Sequence, residues 1–146
     1  MDFFTAMEVS ATGLAAQRSR MNVASSNLAN VSTTRGIDGA PYRRRDVQLS
    51  SAPVAASRVA GGKAGGFEDA VRQVVVGSIV EDTAPPRLEY DPGHPDANDE
   101  GYVAYPNVNT VEEMVDMITA SRAYEAGVSA LNTSVQMADR ALAIGR

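Results

Sequence analysis

The stretch TVEEMVDMITASRAYEAGVSALNTSVQMADRALAI, residues 110–144, decides how this chain folds. It holds no proline and a single glycine, Gly127. Its apolar residues recur at alternating steps of three and four: Met114, Met117, Ser121, Tyr124, Val128, Leu131, Val135, Ala138 and Leu142, all apolar except Ser121. That period is a heptad seam on a long α-helix. Thr110-Val-Glu-Glu113 has the form of a capping box, in which the Thr110 hydroxyl accepts from the Glu113 N–H and Glu113 reaches back to the Thr110 N–H. Glu112, Glu113 and Asp116 fall in the first turns, where the helix dipole favours anions, and Arg140 and Arg146 fall near the other end, where it favours cations. At about 1.5 Å per residue the run spans about 50 Å. A rod of that length in so small a chain calls for partner helices. Gly127 costs about 1 kcal/mol there relative to Ala. Close approach of a neighbouring backbone explains it, and simple tolerance explains it as well.

The opposite end repeats the pattern less cleanly. Residues 3–31 carry no proline and one glycine, and the same stepping picks out Phe4, Met7, Ala11, Leu14, Arg18, Met21, Ser25 and Leu28. Arg18 and Ser25 interrupt the seam, and a polar residue there fixes register at some cost in stability. The alternative is an amphipathic helix packed on its own domain. Between the ends, residues 36–107 hold all seven prolines and most of the glycines. Val71–Val80 (VRQVVVGSIV) reads as a strand, with weaker strands at Tyr42–Leu49, Pro85–Tyr90 and Gly101–Tyr105. Asp91–Glu100 reads as a polar turn, and the Ala/Ser/Gly-rich run 50–66 as a flexible surface loop.

The composition excludes several chemistries. The 146 residues include no Cys, no Trp and one His, so a disulfide scaffold, a thiolate zinc site, a Cys nucleophile and any multi-histidine site are ruled out. Aromatics are 5% against 44% hydrophobic overall, a set suited to helix seams more than to a thick core. The net charge of −5 argues against a dedicated nucleic-acid binder. It is uneven: residues 1–66 are net basic and residues 67–146 net acidic. No run approaches the ~20 apolar residues of a membrane span. Met1-Asp2-Phe3-Phe4 lacks the opening of a cleavable signal peptide.

The remaining constellations read as structural. Gly61–Gly66 lacks the order of a phosphate loop. Asp96-Ala-Asn98-Asp-Glu100-Gly101 echoes a calcium loop but lacks its final Glu and flanking helices. His94 has no orienting partner in view. Arg43-Arg-Arg45 suits pairing with the acidic half of a neighbouring copy, or a solvated strand edge. No residue is assigned a catalytic, cofactor-binding or metal-binding role.

Asn27-Leu28-Ala29-Asn30 followed by Val-Ser-Thr-Thr resembles the N-terminal signature of the bacterial flagellar axial proteins, the rod, hook and hook-associated group. Tyr105-Pro106-Asn107-Val-Asn109 and the run through Ser121, Arg122, Tyr124 and Glu125 resemble the proximal-rod members of that family. The resemblance covers roughly the first and last 45 residues. It implies a non-enzymatic structural subunit of the basal-body proximal rod, assembled helically around the export channel and transmitting torque. It further implies a location in the rod spanning the periplasm, and export through the flagellar type III apparatus without signal cleavage. The partners implied are copies of itself, other proximal-rod proteins, the adaptor FliE and distal rod subunits, with no nucleic acid and no membrane span. The rival reading is a cytoplasmic coiled-coil adaptor or secretion chaperone; a small hydrolase using Asp91–Glu100 is a second rival.

The expected fold is mainly α with a small β-rich middle (α+β). Residues 1–35 form an N-terminal axial helix and its exit, 36–107 a β-rich and loop middle, and 108–146 a long C-terminal helix. The two helices are expected to pair as an antiparallel coiled-coil-like bundle. Phe4, Met7, Leu14, Met21, Leu28, Met114, Met117, Tyr124, Val128, Leu131, Val135 and Leu142 are the expected assembly seam. Burying such side chains stabilises by about 1.5–3 kcal/mol each, against about 1–2 kcal/mol of backbone entropy per ordered residue. The termini are therefore expected to order fully only on assembly.

Overall fold

A computed structural model describes residues 3–36, 38–54 and 71–144. Helix α1 spans Phe3–Ala29, strands β1 and β2 span Arg45–Pro53 and Arg72–Glu81, strands β3 and β4 span Arg87–Tyr90 and Tyr102–Tyr105, and helix α2 spans Thr110–Ile144. The α+β class is as expected: two long helices flank a small β middle. Strand β1 starts three residues later than the sequence pattern suggests and runs on to Pro53, so the expected loop 50–66 begins as strand; its residues 55–66 lie outside the described residues. No described helix is long and apolar enough to cross a membrane.

Contacts divide the chain into two compact units, and each draws on the N-terminal, middle and C-terminal zones. The first takes the front of α1, strand residues 49–53 and 72–77 and α2 from Thr119 onward. Its packing is close. Gly127 lies against Leu14, and a Cβ at position 127 would stand 2.7 Å from Leu14 Cδ2. The neighbour of Gly127 is therefore the end of a side chain, not a backbone. The Val74 N–H donates to Thr12 Oγ1 at 3.3 Å, which ties β2 to α1. Ala16, Val54 and Ala120 are buried here.

The second unit takes 20–48 and 78–118. Strands β3 and β4 pair antiparallel, with Arg87 opposite Tyr105 and Tyr90 opposite Tyr102. Alternation puts Leu88, Tyr90, Tyr102 and Ala104 on one face and Val103, fully buried, on the other. The connecting loop is organised by its own polar side chains. Asn98 Oδ1 accepts from the Glu100 and Tyr102 N–H groups, and His94 Nδ1 accepts from the Asp96 N–H. Gly101 holds φ +83°, and a Cβ there would stand 2.8 Å from the Tyr90 ring, so both conformation and space call for glycine. Val103, Pro106 and Val108 are buried, as are Ala24, Asn27 and Glu113.

The helix ends follow from side chains. At the exit of α1, Asn30 donates its Nδ2–H to the Ser26 carbonyl at 2.8 Å, and Thr33 Oγ1 donates to Asn30 Oδ1. The Ser26 carbonyl also accepts the Asn30 N–H at 3.1 Å, so backbone and side chain of one residue close the last turn together. At the entry to α2 the expected capping box does not form. Asn109 is the cap: its Oδ1 accepts from the Val111 N–H at 3.1 Å, and its carbonyl accepts the Glu113 N–H at 3.0 Å. Thr110 is the first helical residue, and the Glu113 side chain turns inward instead of reaching back.

Candidate functional site

The second unit is built around a buried polar hub. Asn27 is 1% exposed and Glu113 2%. Burying an amide beside a carboxylate costs several kcal/mol unless every valence is matched, and here they are matched. Asn27 Nδ2 donates to Glu113 Oε2 at 2.9 Å and to the Arg45 carbonyl at 2.8 Å. Asn27 Oδ1 accepts from Tyr42 Oη and from the Arg45 N–H, both at 2.9 Å. The other carboxylate oxygen, Glu113 Oε1, accepts from Arg44 Nε at 2.6 Å. One asparagine thereby ties the end of α1, the start of β1 and the first turn of α2 together.

Charge completes the hub. Arg44 Nη2 lies 3.9 Å from Asp116, and Arg20 Nη2 lies 3.8 Å from the same carboxylate. Burial pulls the Arg44 pKa down, but the hydrogen bond and charge of Glu113, with Asp46 and Asp116 adding, outweigh it and hold the guanidinium above its usual range. A raised arginine stays charged at every pH below that value, so this contribution is constant across neutral and acid pH as far as the arginine is concerned. Arg45 pairs with Glu81 at 3.0 Å and lies over the Tyr42 ring. The expectation that Arg43–Arg45 serves the acidic half of a neighbour is thus corrected for two of the three. Arg44 and Arg45 are satisfied within their own chain, and Arg43 is exposed with no ion pair among the described residues.

A second polar joint flanks the hub. Thr34 Oγ1 donates to Asp96 Oδ2 at 2.8 Å, and Arg35 Nη1 lies 3.6 Å from Asp96 Oδ1. The Asp91–Glu100 loop therefore anchors the residues that leave α1. Tyr105 meets the His94 ring edge-on, Pro106 is buried, and Asn107 lines a shallow groove with Tyr42, Arg43 and Pro86. In the other unit, Tyr124 Oη accepts from Arg18 at 3.5 Å and Ser121 donates to Glu125 at 3.3 Å, while Arg122 is exposed. Leu28 is half-buried and Ala29 exposed.

The apolar positions read from the heptads are spread over different surroundings. Met7, Leu14, Met21, Leu28, Met117, Tyr124, Val128 and Leu131 are half-buried; Phe4, Met114, Val135 and Leu142 are exposed. Along α2 the buried and half-buried positions beyond the first residue are Glu113, Asp116, Met117, Ala120, Ser121, Tyr124, Gly127, Val128, Leu131, Ser134 and Ala138. They keep most of the seam, leave Met114, Val135 and Leu142 exposed, and add the residue before Met114, Ser121, Val128 and Val135. Those added residues are a carboxylate and three small residues. Among the described residues no three acidic or histidine side chains converge on a point that holds a metal ion.

Two protein-family models match the chain. The one described as "Flagella basal body rod protein" covers residues 7–35, and the one described as "Flagellar basal body rod FlgEFG protein C-terminal" covers residues 99–144. The matched segments contain Asn27 and Glu113, the two ends of the hub. Among curated proteins, the chain is similar over its whole length to "Flagellar basal-body rod protein FlgC" of Bacillus subtilis (strain 168), at 45% identity and covering all of that protein. It is 46% identical to the protein of the same name from Borreliella burgdorferi, over 99% of this chain and 98% of that one. It is 40% identical to the one from Salmonella typhimurium, with both chains covered entirely.

Proposed function

The chain belongs to the FlgC family of flagellar basal-body rod proteins and is a structural rod subunit of the basal body, and on that premise we propose how it is built into the rod. It is a proximal-rod subunit that stacks helically with copies of itself and with other rod subunits around the export channel, and it transmits torque without catalysing a reaction. Its terminal helices pair antiparallel as a coiled-coil-like bundle. In each unit taken alone the order of contacts along α1 and α2 runs in opposite directions. Leu14 and Arg18 meet Gly127 and Tyr124 in one, and Arg20 and Asn27 meet Asp116 and Glu113 in the other. The adaptor FliE and distal rod subunits are its further neighbours. It reaches the periplasm-spanning rod through the type III apparatus with its N-terminus uncleaved.

The observation that carries this reading is the amount of large apolar surface left open on the helices. Phe3, Phe4, Val111, Met114, Val115, Ile118, Met137, Leu142 and Ile144 are all exposed. A stand-alone domain rarely leaves such patches. In an assembly the residues of the heptad seams, Phe4, Met114, Val135 and Leu142 among them, are buried by neighbouring helices. A cytoplasmic adaptor has no support among the relatives, which are rod proteins by name.

Isolated basal bodies test the reading. Mass spectrometry is expected to find the chain there with its N-terminal residues intact, and a strain lacking it is expected to build no rod beyond the export gate. Recovery of the chain from the cytosol alone overturns the assignment.

A further inference from the structure

One face of α2 stands open over its first turns. Val111, Met114, Val115 and Ile118 are 68, 45, 56 and 51% exposed. Their spacing of i, i+3, i+4 and i+7 makes them one continuous apolar stripe. The opposite side of the same turns carries Glu113 and Ala120, both buried. Along this open side, steps of three, four and three pick out Glu112, Val115, Thr119 and Arg122, all exposed.

Helix α1 offers the complement. Glu8, Ala11, Ala15 and Arg18 are all exposed and follow the same three steps. Laid antiparallel, the two stripes set Glu8 against Arg122, Ala11 against Thr119, Ala15 against Val115, and Arg18 against Glu112. Laid parallel, they set glutamate against glutamate and arginine against arginine. The charged ends are ten residues apart on both helices, about 15 Å, so both ion pairs close in a single register. Two alanines between them let the helix axes approach toward the lower end of the usual 8–10 Å. Val115 then sits over the Ala15 methyl, with Ile118 and Val111 filling the flanks.

This pairing takes two molecules. Within one chain Arg18 is engaged with Tyr124, and Leu14 lies against Gly127. We propose that the open α2 face of one copy receives the exposed α1 stripe of a second copy in this antiparallel register. The contact is heterologous, since each copy presents one of each surface, and such a contact runs on from copy to copy in a ring or a helix instead of ending in a two-fold pair. It rests on the reading that the helices pack on neighbours, and it names which faces meet.

The absence of cysteine makes the test direct. Two singly substituted chains, Ala15→Cys and Val115→Cys, are produced together in cells lacking the unsubstituted chain, and their basal bodies are isolated and mildly oxidised. A disulfide-linked dimer of one chain of each kind is expected, at about tenfold the level given by either chain alone. Adding Arg18→Glu to the first chain is expected to lower the linked fraction about fivefold, and adding Glu112→Arg to the second to restore it. Basal bodies that hold both chains without the mixed dimer overturn the docking and leave the rod assignment standing. Linkage indifferent to Arg18→Glu overturns the register. A mixed dimer formed by purified chains that never enter basal bodies supports the docking and overturns the rod assignment.

Discussion

In its first turns α2 is held by Glu113, 2% exposed and bonded to both Asn27 and Arg44; in its last turns Leu142 and Ile144 are 74 and 87% exposed. The two stretches have similar apolar content and both continue one helix. They differ in what fixes them. The first is pinned by polar groups from its own chain, with its large apolar residues turned outward. The last has no comparable polar anchor among the described residues. A hub of matched hydrogen bonds defines one geometry, because a displaced partner leaves a buried charge or amide unpaired. An apolar tail carries no such penalty and adapts to whatever covers it. On the proposed function, the hub is expected to hold its own geometry ahead of assembly, and the helix tail to be covered by neighbours.

Removing the hub carboxylate breaks the contrast most severely. Glu113→Ala leaves Arg44 part-buried without its close partner and Asn27 with a lost acceptor. Breaking one half of a buried ion pair destabilises by about 3–5 kcal/mol. Because Arg44 keeps some solvent contact and a longer approach to Asp116, we expect about 3 kcal/mol, read as a lower urea midpoint of the purified chain. A loss below about 1 kcal/mol would mean that the hub does not fix the start of α2.

Asn27→Ala is expected next, at about 2 kcal/mol, since the Tyr42 hydroxyl and the Arg45 N–H lose their acceptor while the Arg44–Glu113 pair survives. If the two substitutions act through one network, the double variant costs less than the sum of the single ones. Strict additivity counts against a single hub.

The two ends of the fold are legible in the amino-acid sequence, whereas the hub is not. The two proline-free zones match α1 and α2 with ends within a residue or two, because a long periodic run leaves little choice of period. The Asn27–Asn30 motif is recognisable as a family signature. What it does is hidden: its partners Arg45 and Glu113 are 18 and 86 residues away, and nothing local reports a contact at that distance. Glu113 misleads for a specific reason. Thr110-x-x-Glu113 satisfies the capping pattern locally, but Asn109, one residue earlier, is an equally good cap, and its use frees Glu113 for the hub. The covered stripe of α2 differs from the apolar one for a related reason. Counting apolar residues favours large side chains, whereas close helix approach selects Ala120, Gly127 and Ser134.

Gly127→Ala probes that close approach, with a smaller effect. The new methyl meets the end of the Leu14 side chain, which can swing aside, and the helix gains about 1 kcal/mol in propensity. The two effects offset, so stability is expected to stay within about 1 kcal/mol of the parent chain. In a Leu14→Ala background the clash is gone, and the same substitution is expected to stabilise by about 1 kcal/mol. A cost above about 2 kcal/mol in the parent background means that Leu14 is held rigidly.

The tail of α2 gives the smallest effect on the free chain and the sharpest test of the contrast. Leu142 is three-quarters exposed, so Leu142→Ser removes little buried surface, and the urea midpoint is expected to change by less than about 0.5 kcal/mol. Amide exchange of dilute chain is expected to be fast from about residue 131 onward and slow around Glu113, because few buried contacts oppose opening of the tail. In assembled basal bodies the same tail amides are expected to be protected, and the Leu142→Ser chain to be incorporated less than the parent chain when the two compete. Slow exchange of the tail in dilute chain, or equal incorporation of Leu142→Ser, would mean that the tail is packed by its own chain or by nothing. The difference between the two ends of α2 would then be one of chemistry alone, without consequence for assembly.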